Sequence, residues 1–368
     1  MNFQNSTLVH NVVQTLHKVV IRKPGYKIMH VCGTHEHTIS RWGLRSLLPE
    51  GIEVIAGPGC PVCVCPSHEV GEAIEIARHD AIVVTFGDMM NLPTRFGSLS
   101  QARAEGADIR LIYSPMDTLK LARNNPDREV VLFAVGFETT AAPIATVIGS
   151  KNFPKNLSVL ISHRLTPPVV ELLLGIGDLH IDGLIAPGHV STITGSAVWR
   201  RFPEAYRMPV VVAGFEPEDI LLAIWMLVRQ LGQGEAKLEN EYARVVPDLG
   251  NQSALAAIEG VFEVTSAWWR GIGRVPRSGL RIRPELAVRD ARERFGICLE
   301  PDSDDLPPGC SCHLVMLGKV NPPSCPLYGK KCTPSSPYGP CMVSQEGTCY
   351  IWFSYRTELS SATEGEAV

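Results

Sequence analysis

Short apolar runs recur along the first 230 residues of the chain, separated by segments with helical spacing. The runs are rich in Val and Ile and continuous rather than alternating, which is typical of strands buried on both faces of a parallel sheet. Most intervals between them are long enough for a crossover helix, and PSHEVGEAIEIARHD and EPEDILLAIWMLVRQL have the spacing of helices. The pattern predicts an α/β fold. Its eight predicted strands are KIMHVC (27–32), EVIAG (53–57), AIVVTF (81–86), IRLIY (109–113), VVLFAVG (130–136), SVLIS (158–162), DGLIAP (182–187) and PVVVAG (209–214).

The two halves of this region are weakly similar to each other. VCGTHEHT parallels AVGFETTA, and IAGPGCPV parallels IAPGHVST. Such an internal repeat predicts two related lobes, residues 1–122 and 123–234, each with a central parallel sheet and flanking helices, facing each other across a cleft.

Periodicity fades after residue 235. ALAAIEGVFEVTSAWWRGIG still predicts a helix, and proline, glycine and cysteine then dominate to residue 349. We predict an irregular cysteine-rich domain over 235–355 and a disordered acidic tail over 356–368.

Composition narrows the functional classes. The chain is 45% hydrophobic and 20% charged, as globular proteins are. With a net charge of -4 and no Lys/Arg cluster, nucleic acid is not an expected partner. We read no signal peptide at the N-terminus, and no run approaches the roughly 18 apolar residues that span a bilayer. We therefore expect a cytoplasmic protein without membrane contact, in which thiols stay reduced.

The eleven cysteines are unevenly distributed. Four precede residue 66, seven follow residue 297, and none lies between them. Cysteines that merely fill cores would rarely leave such a gap. In a cytoplasmic protein this distribution indicates metal or redox chemistry rather than a disulfide framework.

Two cysteine-bearing segments follow neighbouring predicted strands. Ligands bind at the carboxyl ends of parallel strands, and CGTHEHT and GPGCPVCVCP occupy such ends, so Cys32 should meet Cys60 and Cys63 on one rim. The C-x-x-C spacing lets two sulfurs share a metal or close a disulfide. His35 offers proton transfer or a nitrogen ligand. The following helix is expected to lower the pKa of Cys63 and Cys65, although Cys65 is more simply a bystander.

Other polar residues at strand ends give weaker signals. Glu138, His163 and His189 are candidates for the opposite wall of the cleft. Asp88 fits either the rim or an ordinary helix cap. Neither a P-loop nor a dinucleotide-binding glycine pattern is present in the sequence.

Six further cysteines lie in the segment GCSCHLVMLGKVNPPSCPLYGKKCTPSSPYGPCMVSQEGTC. Four thiolates suit a [4Fe–4S] cluster, and four also suit tetrahedral zinc. Zinc sites usually use tighter C-x-x-C pairs, which this segment lacks, so the wide spacing favours the cluster. Cys298 lies apart and is interpreted as a buried core residue.

The chain resembles the HypD family of hydrogenase maturation proteins over nearly its whole length. Five motifs carry the resemblance, in the same order as in the family: CGTHEHT, GPGCPVC, GFETT, APGHVS and CPLYGKKCTP…GPCMVSQEGTC. The resemblance implies two α/β lobes and an iron–sulfur domain. It also implies a role in building the Fe(CN)2CO group of [NiFe]-hydrogenases. HypD-like proteins hold the iron, as transient cargo carrying cyanide and carbon monoxide, in a stable complex with HypC, and accept cyanide from HypE.

The resemblance also implies roles for particular residues. Cys32, Cys60 and Cys63 match the essential thiols of the iron assembly site. For the [4Fe–4S] cluster we assign Cys310, Cys325, Cys332 and Cys349, with Cys341 the rival of Cys310. Spacing leaves the role of Cys312 open. Cys65 departs from the family pattern, where a non-thiol residue such as Thr is expected.

Three functions therefore compete. The first is a redox-active scaffold and electron donor for metallocofactor assembly, rather than a conventional turnover enzyme, in which Cys60 and Cys63 form a switchable dithiol. The second is a stand-alone iron–sulfur thiol–disulfide oxidoreductase. The third is a zinc-stabilised α/β binding protein.

Overall fold

The computed structural model of the chain describes residues 7–18, 25–175, 179–301 and 305–355. It is an α/β structure with parallel sheets and flanking helices, as the apolar runs predict. The predicted tail, 356–368, lies outside the described residues. Among the described helices, none is both long and apolar enough to cross a bilayer.

All eight predicted strands are present, and three more follow them. The strands are β1 (Tyr26–His30), β2 (Ile52–Ala56), β3 (Ile82–Thr85), β4 (Ile109–Leu111), β5 (Val130–Gly136), β6 (Leu157–His163), β7 (Gly183–Pro187), β8 (Val210–Ala213), β9 (Leu238–Asn240), β10 (Phe262–Trp269) and β11 (Gly273–Ile282). Nine of them form two parallel sheets, and β10 and β11 form an antiparallel hairpin.

The helices connect and cover these strands. They are α1 (Thr7–Lys18), α2 (Gly33–Arg41), α3 (Pro61–Val64), α4 (Ser67–Arg78), α5 (Leu99–Ala104), α6 (Asp117–Arg123), α7 (Glu138–Ile148), α8 (Thr166–Gly175), α9 (Gly188–Thr194), α10 (Arg201–Tyr206), α11 (Pro217–Gln233), α12 (Gln252–Val261), α13 (Ala291–Phe295) and α14 (Cys312–Met316). A further helical segment covers 348–355. The predicted helices at α4 and α11 are confirmed.

The strands are grouped differently from the predicted lobes. The first sheet has the order β2-β1-β7-β8-β9, and the second has the order β4-β3-β5-β6. The chain thus starts the first sheet, leaves to build the whole second sheet, and returns. Dividing the strands into four before residue 122 and four after it does not describe these sheets. The local strand patterns were right, but they carry no information about which strands pair.

The helix predicted over residues 254–273 is half wrong. Helix α12 ends at Val261, and FEVTSAWW then forms β10, which pairs with β11. This segment is rich in β-branched and aromatic residues and alternates polar with apolar positions, both of which favour a strand. The apolar residues of α12 run directly into those of β10, so the sequence does not mark where helical spacing ends and strand alternation begins.

Three apolar clusters hold the elements together. One lies between the first sheet and helices α1 and α11, and another lies against one face of the second sheet. The largest cluster takes residues from both sheets and from the C-terminal segment, and it includes Cys63, Cys341 and Cys349. The thiols therefore lie within the main core, where the two sheets and the C-terminal segment meet.

Glycines bring the ends of β1 and β2 close together. The strands pair in parallel register, His30 opposite Ala56, so the residues that follow them start side by side. Gly57 donates to His30 O at 2.7 Å, and Gly33 donates to Gly59 O at 3.2 Å. A Cβ atom at Gly59 would lie 2.5 Å from Cys32 Cα. Only a glycine fits there, so the GPG segment can lie directly against Cys32.

Candidate functional site

A small enclosed cavity lies at the ends of β1 and β2. We call it the thiol cavity; its walls include His30, Cys32, Cys60, Cys63, Cys341 and Glu346. The sequence predicted that Cys32 would meet the C-x-x-C pair at adjacent strand ends, and the structure brings these three sulfurs to one cavity. His30, Glu346 and the approach of Cys341 were not predicted, because no local pattern marks them.

Cys60 and Cys63 are joined by a disulfide across the first turn of α3, with Cα atoms 5.3 Å apart. Cys60 is the N-cap of that helix, Pro61 begins it, and Cys63 N–H donates to Cys60 Sγ at 3.2 Å. Proline is favoured at the first helical position because it has no N–H that needs a partner there. Its fixed φ angle favours the helical turn that connects Cys60 to Cys63. The short helix therefore holds the pair in bonding geometry.

Cys32 is a buried thiol rather than an activated thiolate. It is the N-cap of α2 and is 9% exposed. Burial raises the pKa of Cys32 to about 11, with the nearby Glu346 adding to the effect, although the backbone of His35 and Thr34 opposes it. At neutral pH the sulfur keeps its proton until a metal ion or another reaction partner displaces it.

The expectation of a low pKa at Cys65 is wrong. Burial, followed by the negative charge of Glu69, raises the pKa of Cys65 to about 12. Its sulfur lies 3.4 Å from Ser162 Oγ, on the side of β6. The N-terminus of α4 is close in sequence, but desolvation outweighs its dipole. Cys65 is not among the residues that line the thiol cavity.

His35 points toward the end of β8 rather than into the thiol cavity. Its Nε2 lies 2.9 Å from Gly214 O and 3.3 Å from Ala213 O. Carbonyl oxygens only accept, so Nε2 carries the proton. Burial lowers the pKa of His35 to about 3, and the imidazole is therefore neutral. The predicted role of His35 in catalysis stays a prediction, and its contacts suit a residue that joins α2 to the loop after β8.

Glu36 organises the residues behind the cavity. Both its oxygens are bonded by Arg45, at 2.8 and 2.7 Å, and Oε2 also lies 2.8 Å from His30 Nε2. Ser40 and Trp352 donate to Oε1 at 2.6 and 2.9 Å. Burial alone would raise the pKa of Glu36, but Arg45 and His30 hold it well below its usual range. Glu36 is therefore a buried carboxylate that ties α2 to β1 and to the C-terminal segment.

The other polar candidates lie elsewhere. Glu138 is a buried residue in the lining of a separate, mainly apolar cleft of about 790 Å³, and its carboxylate accepts from Thr166 N–H and Oγ1–H at 2.7 and 3.0 Å. His163 is buried against Phe262 at the end of β6. His189 stacks on Phe215, and Asp88 accepts from Ser344. None of the four lines the thiol cavity.

A second group of thiols lies in the C-terminal segment. The sulfurs of Cys312, Cys341 and Cys349 all lie within 4.8 Å of one another, and all three residues are buried. The thiol of Cys310 interacts directly with that of Cys312. Cys332 accepts from Tyr338 N–H at 3.4 Å and interacts electrostatically with Cys310 and Cys312. We call these five residues the C-terminal thiol cluster.

The donor set of this cluster suits a metal group. Hydrogen bonds from Cys312 and Cys341 lower the pKa of Cys349, whereas the hydrogen bonds of Cys341 with Cys312 and Cys349, followed by burial, raise the pKa of Cys341. A metal bound here would deprotonate these thiols, and the cluster already favours the ionised form of Cys349. Three converging buried sulfurs, with two more beside them, fit the four thiolates that either a [4Fe–4S] cluster or zinc takes.

The predicted cluster ligands differ in their position relative to the three converging sulfurs. Cys349 and Cys341 belong to the triad, and Cys310 and Cys332 lie beside it. Cys325 is half-buried and is not one of the three converging sulfurs, so its role as a ligand stays a prediction. Cys312, which spacing left open, is a triad member. Cys298 is exposed, so its interpretation as a buried core residue is wrong.

Fold and site together define an α/β protein with a buried cysteine triad able to hold a metal and a disulfide-bearing cavity next to it. The family model described as "HypD: Hydrogenase formation hypA family" matches residues 7–356. The chain therefore belongs to the HypD family of hydrogenase maturation factors.

Relatives of similar length support this assignment. The chain is 46% identical over 343 residues to the hydrogenase maturation factor HypD of Azotobacter vinelandii, with 90% of each chain covered. It is 47% identical over 334 residues to that of Rhodobacter capsulatus, with 89% of each covered. A putative hydrogenase expression/formation protein of Methanocaldococcus jannaschii is 43% identical over 359 residues, covering 97% of this chain and 99% of the relative.

Proposed function

We propose that this protein is the scaffold and electron donor on which the Fe(CN)2CO group of a [NiFe]-hydrogenase is assembled. In this proposal it holds the iron, as cargo, together with a HypC-like partner in a stable complex and accepts cyanide from a HypE-like donor, in the cytoplasm. One observation carries the proposal: Cys32, the Cys60–Cys63 disulfide and Cys341 of the C-terminal thiol cluster line the same cavity. A site for cargo iron and a source of electrons need this proximity.

In the proposed iron site, Cys32, Cys60 and Cys63 supply the sulfur ligands. With the disulfide closed, Cys32 is the one member of this set of three that keeps a free thiol. Opening the disulfide takes two electrons and two protons and yields two thiols. The pair therefore stores reducing equivalents when open and changes the number of sulfur ligands when it closes.

The C-terminal thiol cluster is the proposed place of a [4Fe–4S] cluster. Cys312, Cys341 and Cys349 are suited to hold three of its irons, and Cys310 and Cys332 are nearest for the fourth. Such a cluster would supply electrons one at a time. Cys63 Sγ lies 3.9 Å from the carbonyl oxygen of Pro340, the residue before Cys341, so the disulfide and these thiols are in contact through a single residue.

The test is maturation of a [NiFe]-hydrogenase in cells that carry Cys63→Ser in place of the wild-type chain. We expect hydrogenase activity to be lost, because the variant can neither close the disulfide nor supply the third sulfur. Cys298→Ser is the matched control, since that thiol is exposed and outside both thiol groups, and it should support maturation normally. Normal maturation with Cys63→Ser would overturn the proposal.

Anaerobic iron, sulfide and zinc content distinguishes the other candidates. About four irons and four sulfides per chain support the electron-donor role, whereas one zinc without sulfide supports a zinc-stabilised binding protein. The disulfide beside the thiol cluster also fits a stand-alone thiol–disulfide oxidoreductase. A stoichiometric complex with a HypC-like protein that survives size-exclusion chromatography argues for the scaffold, since a reductase needs only transient contact.

A further inference from the structure

His30 is the buried imidazole in the wall of the thiol cavity. It is the last residue of β1, two residues before Cys32, and is 1% exposed. Its Nε2 bonds Glu36, but its Nδ1 has no hydrogen-bond partner among the described residues. An unpaired buried ring nitrogen is costly unless something absent from the protein itself binds it.

The contacts of Glu36 decide which ring nitrogen carries the proton. Its carboxylate receives hydrogen bonds from Arg45, Ser40 and Trp352, all of which are donors. An ionised carboxylate only accepts, so His30 must donate through Nε2. With the proton held on Nε2, Nδ1 is the ring nitrogen left to offer a lone pair to a metal ion. An imidazole whose other N–H is held by a carboxylate is the usual arrangement of a metal-bound histidine.

His35, the histidine that the sequence predicted for this site, does not occupy this position. Its Nδ1 is also unpaired among the described residues, but its ring is held by the carbonyls of Ala213 and Gly214, and it does not line the thiol cavity. The two rings are 6.3 Å apart and nearly perpendicular. Of the two residues, only His30 lines the thiol cavity.

We propose that His30 Nδ1 is the nitrogen ligand of the metal ion that Cys32 holds in the thiol cavity, with Glu36 and Arg45 fixing the ring. This inference rests on the proposed function and adds a ligand to its iron site. A site with thiolate and imidazole donors suits divalent iron, and it accepts cobalt(II) with the same ligands. The disulfide state then changes only the sulfur ligands, while the His30–Glu36 pair stays in place.

The experiment uses cobalt(II) as the probe. One equivalent is added anaerobically to the full-length protein carrying its resident metal, after reduction of the Cys60–Cys63 disulfide, and the cobalt K-edge X-ray absorption spectrum is recorded. We expect sulfur scattering together with the outer-shell scattering of one imidazole. Cys32→Ala should abolish this bound species, which locates it in the thiol cavity.

Two matched variants then identify the imidazole. In His30→Gln the amide can still donate to Glu36, but no atom replaces Nδ1, so the imidazole signal should disappear. Cobalt affinity should fall at least about tenfold. Removing a residue that only supports a metal ligand already costs about 10- to 100-fold in affinity, so removing the ligand itself should cost no less. His35→Gln likewise keeps a donor to Gly214 O and should leave both the signal and the affinity unchanged.

The outcomes separate the inference from the function beneath it. Sulfur scattering without imidazole in the wild-type spectrum overturns the role of His30 even if His30→Gln fails to fold, and leaves the iron site standing. Loss of the imidazole signal in His35→Gln instead of His30→Gln overturns it in the same way. Failure of the wild type to bind cobalt, or binding that persists in Cys32→Ala, overturns the proposed iron site itself.

Discussion

Burial controls the protonation of the side chains at and behind the thiol cavity. It raises the pKa of Cys32 to about 11 and lowers the pKa of His35 to about 3, so both are neutral at pH 7. Glu36 remains charged only because Arg45 and His30 outweigh the cost of its burial. Cys32 therefore rests protonated near the buried Glu36–Arg45 ion pair, and a metal that binds Cys32 must release that proton.

Glu138 gives a pH prediction at this scale. Burial raises its pKa to about 7 from 4.5, although hydrogen bonds from its own backbone and from Thr166 oppose the shift. A carboxyl with a raised folded-state pKa contributes stability at pH below 4.5 that is lost as the pH rises through 7. At about 1.4 kcal/mol per pKa unit, the loss is about 3 kcal/mol. Glu138→Gln should remove this dependence.

Denaturant unfolding, followed by circular dichroism at pH values from 5 to 8, gives the free energy of unfolding at each pH. The effect is the difference in the slope of this free energy against pH between the wild type and Glu138→Gln. Glu171→Gln is the control, because this carboxyl lines the same cleft but is partly exposed to solvent. Parallel curves for the wild type and Glu138→Gln would contradict the prediction.

At the scale of elements, the site depends on how two strand ends and one four-residue helix meet. Strands β1 and β2 start the two loops side by side, and the glycines of the GPG segment let the second loop approach Cys32 closely. Helix α3 then sets the distance between Cys60 and Cys63. A bulky residue in place of either glycine would move the Cys60–Cys63 pair away from Cys32, although the three cysteines themselves remain.

Gly59→Ala tests this arrangement. The added Cβ would collide with the backbone of Cys32, so we expect a loss of about 1–3 kcal/mol in the free energy of unfolding, as for other overpacked sites. Gly87→Ala is the control, since a Cβ there meets nothing within 4 Å. Denaturant titration measures both, and equal stability of the two variants would show that the loop can move away at no cost.

Local sequence patterns predicted the elements better than their partners. The Val/Ile runs predicted all eight strands of the first 213 residues, and the positions of Cys32, Cys60 and Cys63 after neighbouring strands predicted that they meet. Contacts between distant segments left no such pattern. Cys341 reaches the thiol cavity from a segment nearly three hundred residues downstream, and only the structure shows that His30 both bonds Glu36 and lines the cavity.

For the whole molecule, a buried ionic link joins the parts that surround the thiols. Arg164, directly after β6 of the second sheet, bonds Glu69 of α4 at 2.8 Å and the carbonyl oxygen of Trp268 in β10 at 2.8 Å. Arg164 is 3% exposed. It thus connects the second sheet to the helix that follows the C-x-x-C loop and to the antiparallel hairpin.

Removing this charge should destabilise the whole protein. Arg164→Met leaves the Glu69 carboxylate buried beside Ser162 and short of its main partner, which typically costs about 3–5 kcal/mol. Arg281→Met removes a comparable ion pair with Glu263 at the surface and should cost less than about 1 kcal/mol. Differential scanning calorimetry under anaerobic conditions compares them, and a small effect of Arg164→Met would mean that water or Arg292 replaces the lost partner.

The interruption of the first sheet by the second has a consequence for synthesis on the ribosome. Strands β3 to β6 are contiguous in the chain and can pair as soon as they emerge. Strands β1 and β2 can pair with each other, but β1 gains its second neighbour only with β7, which is translated more than 120 residues after β2. Such distant pairing is slow to form. The nascent chain therefore presents Cys32, Cys60 and Cys63 before the walls around them exist, and the cavity closes only after the segment that carries Cys341 has been translated.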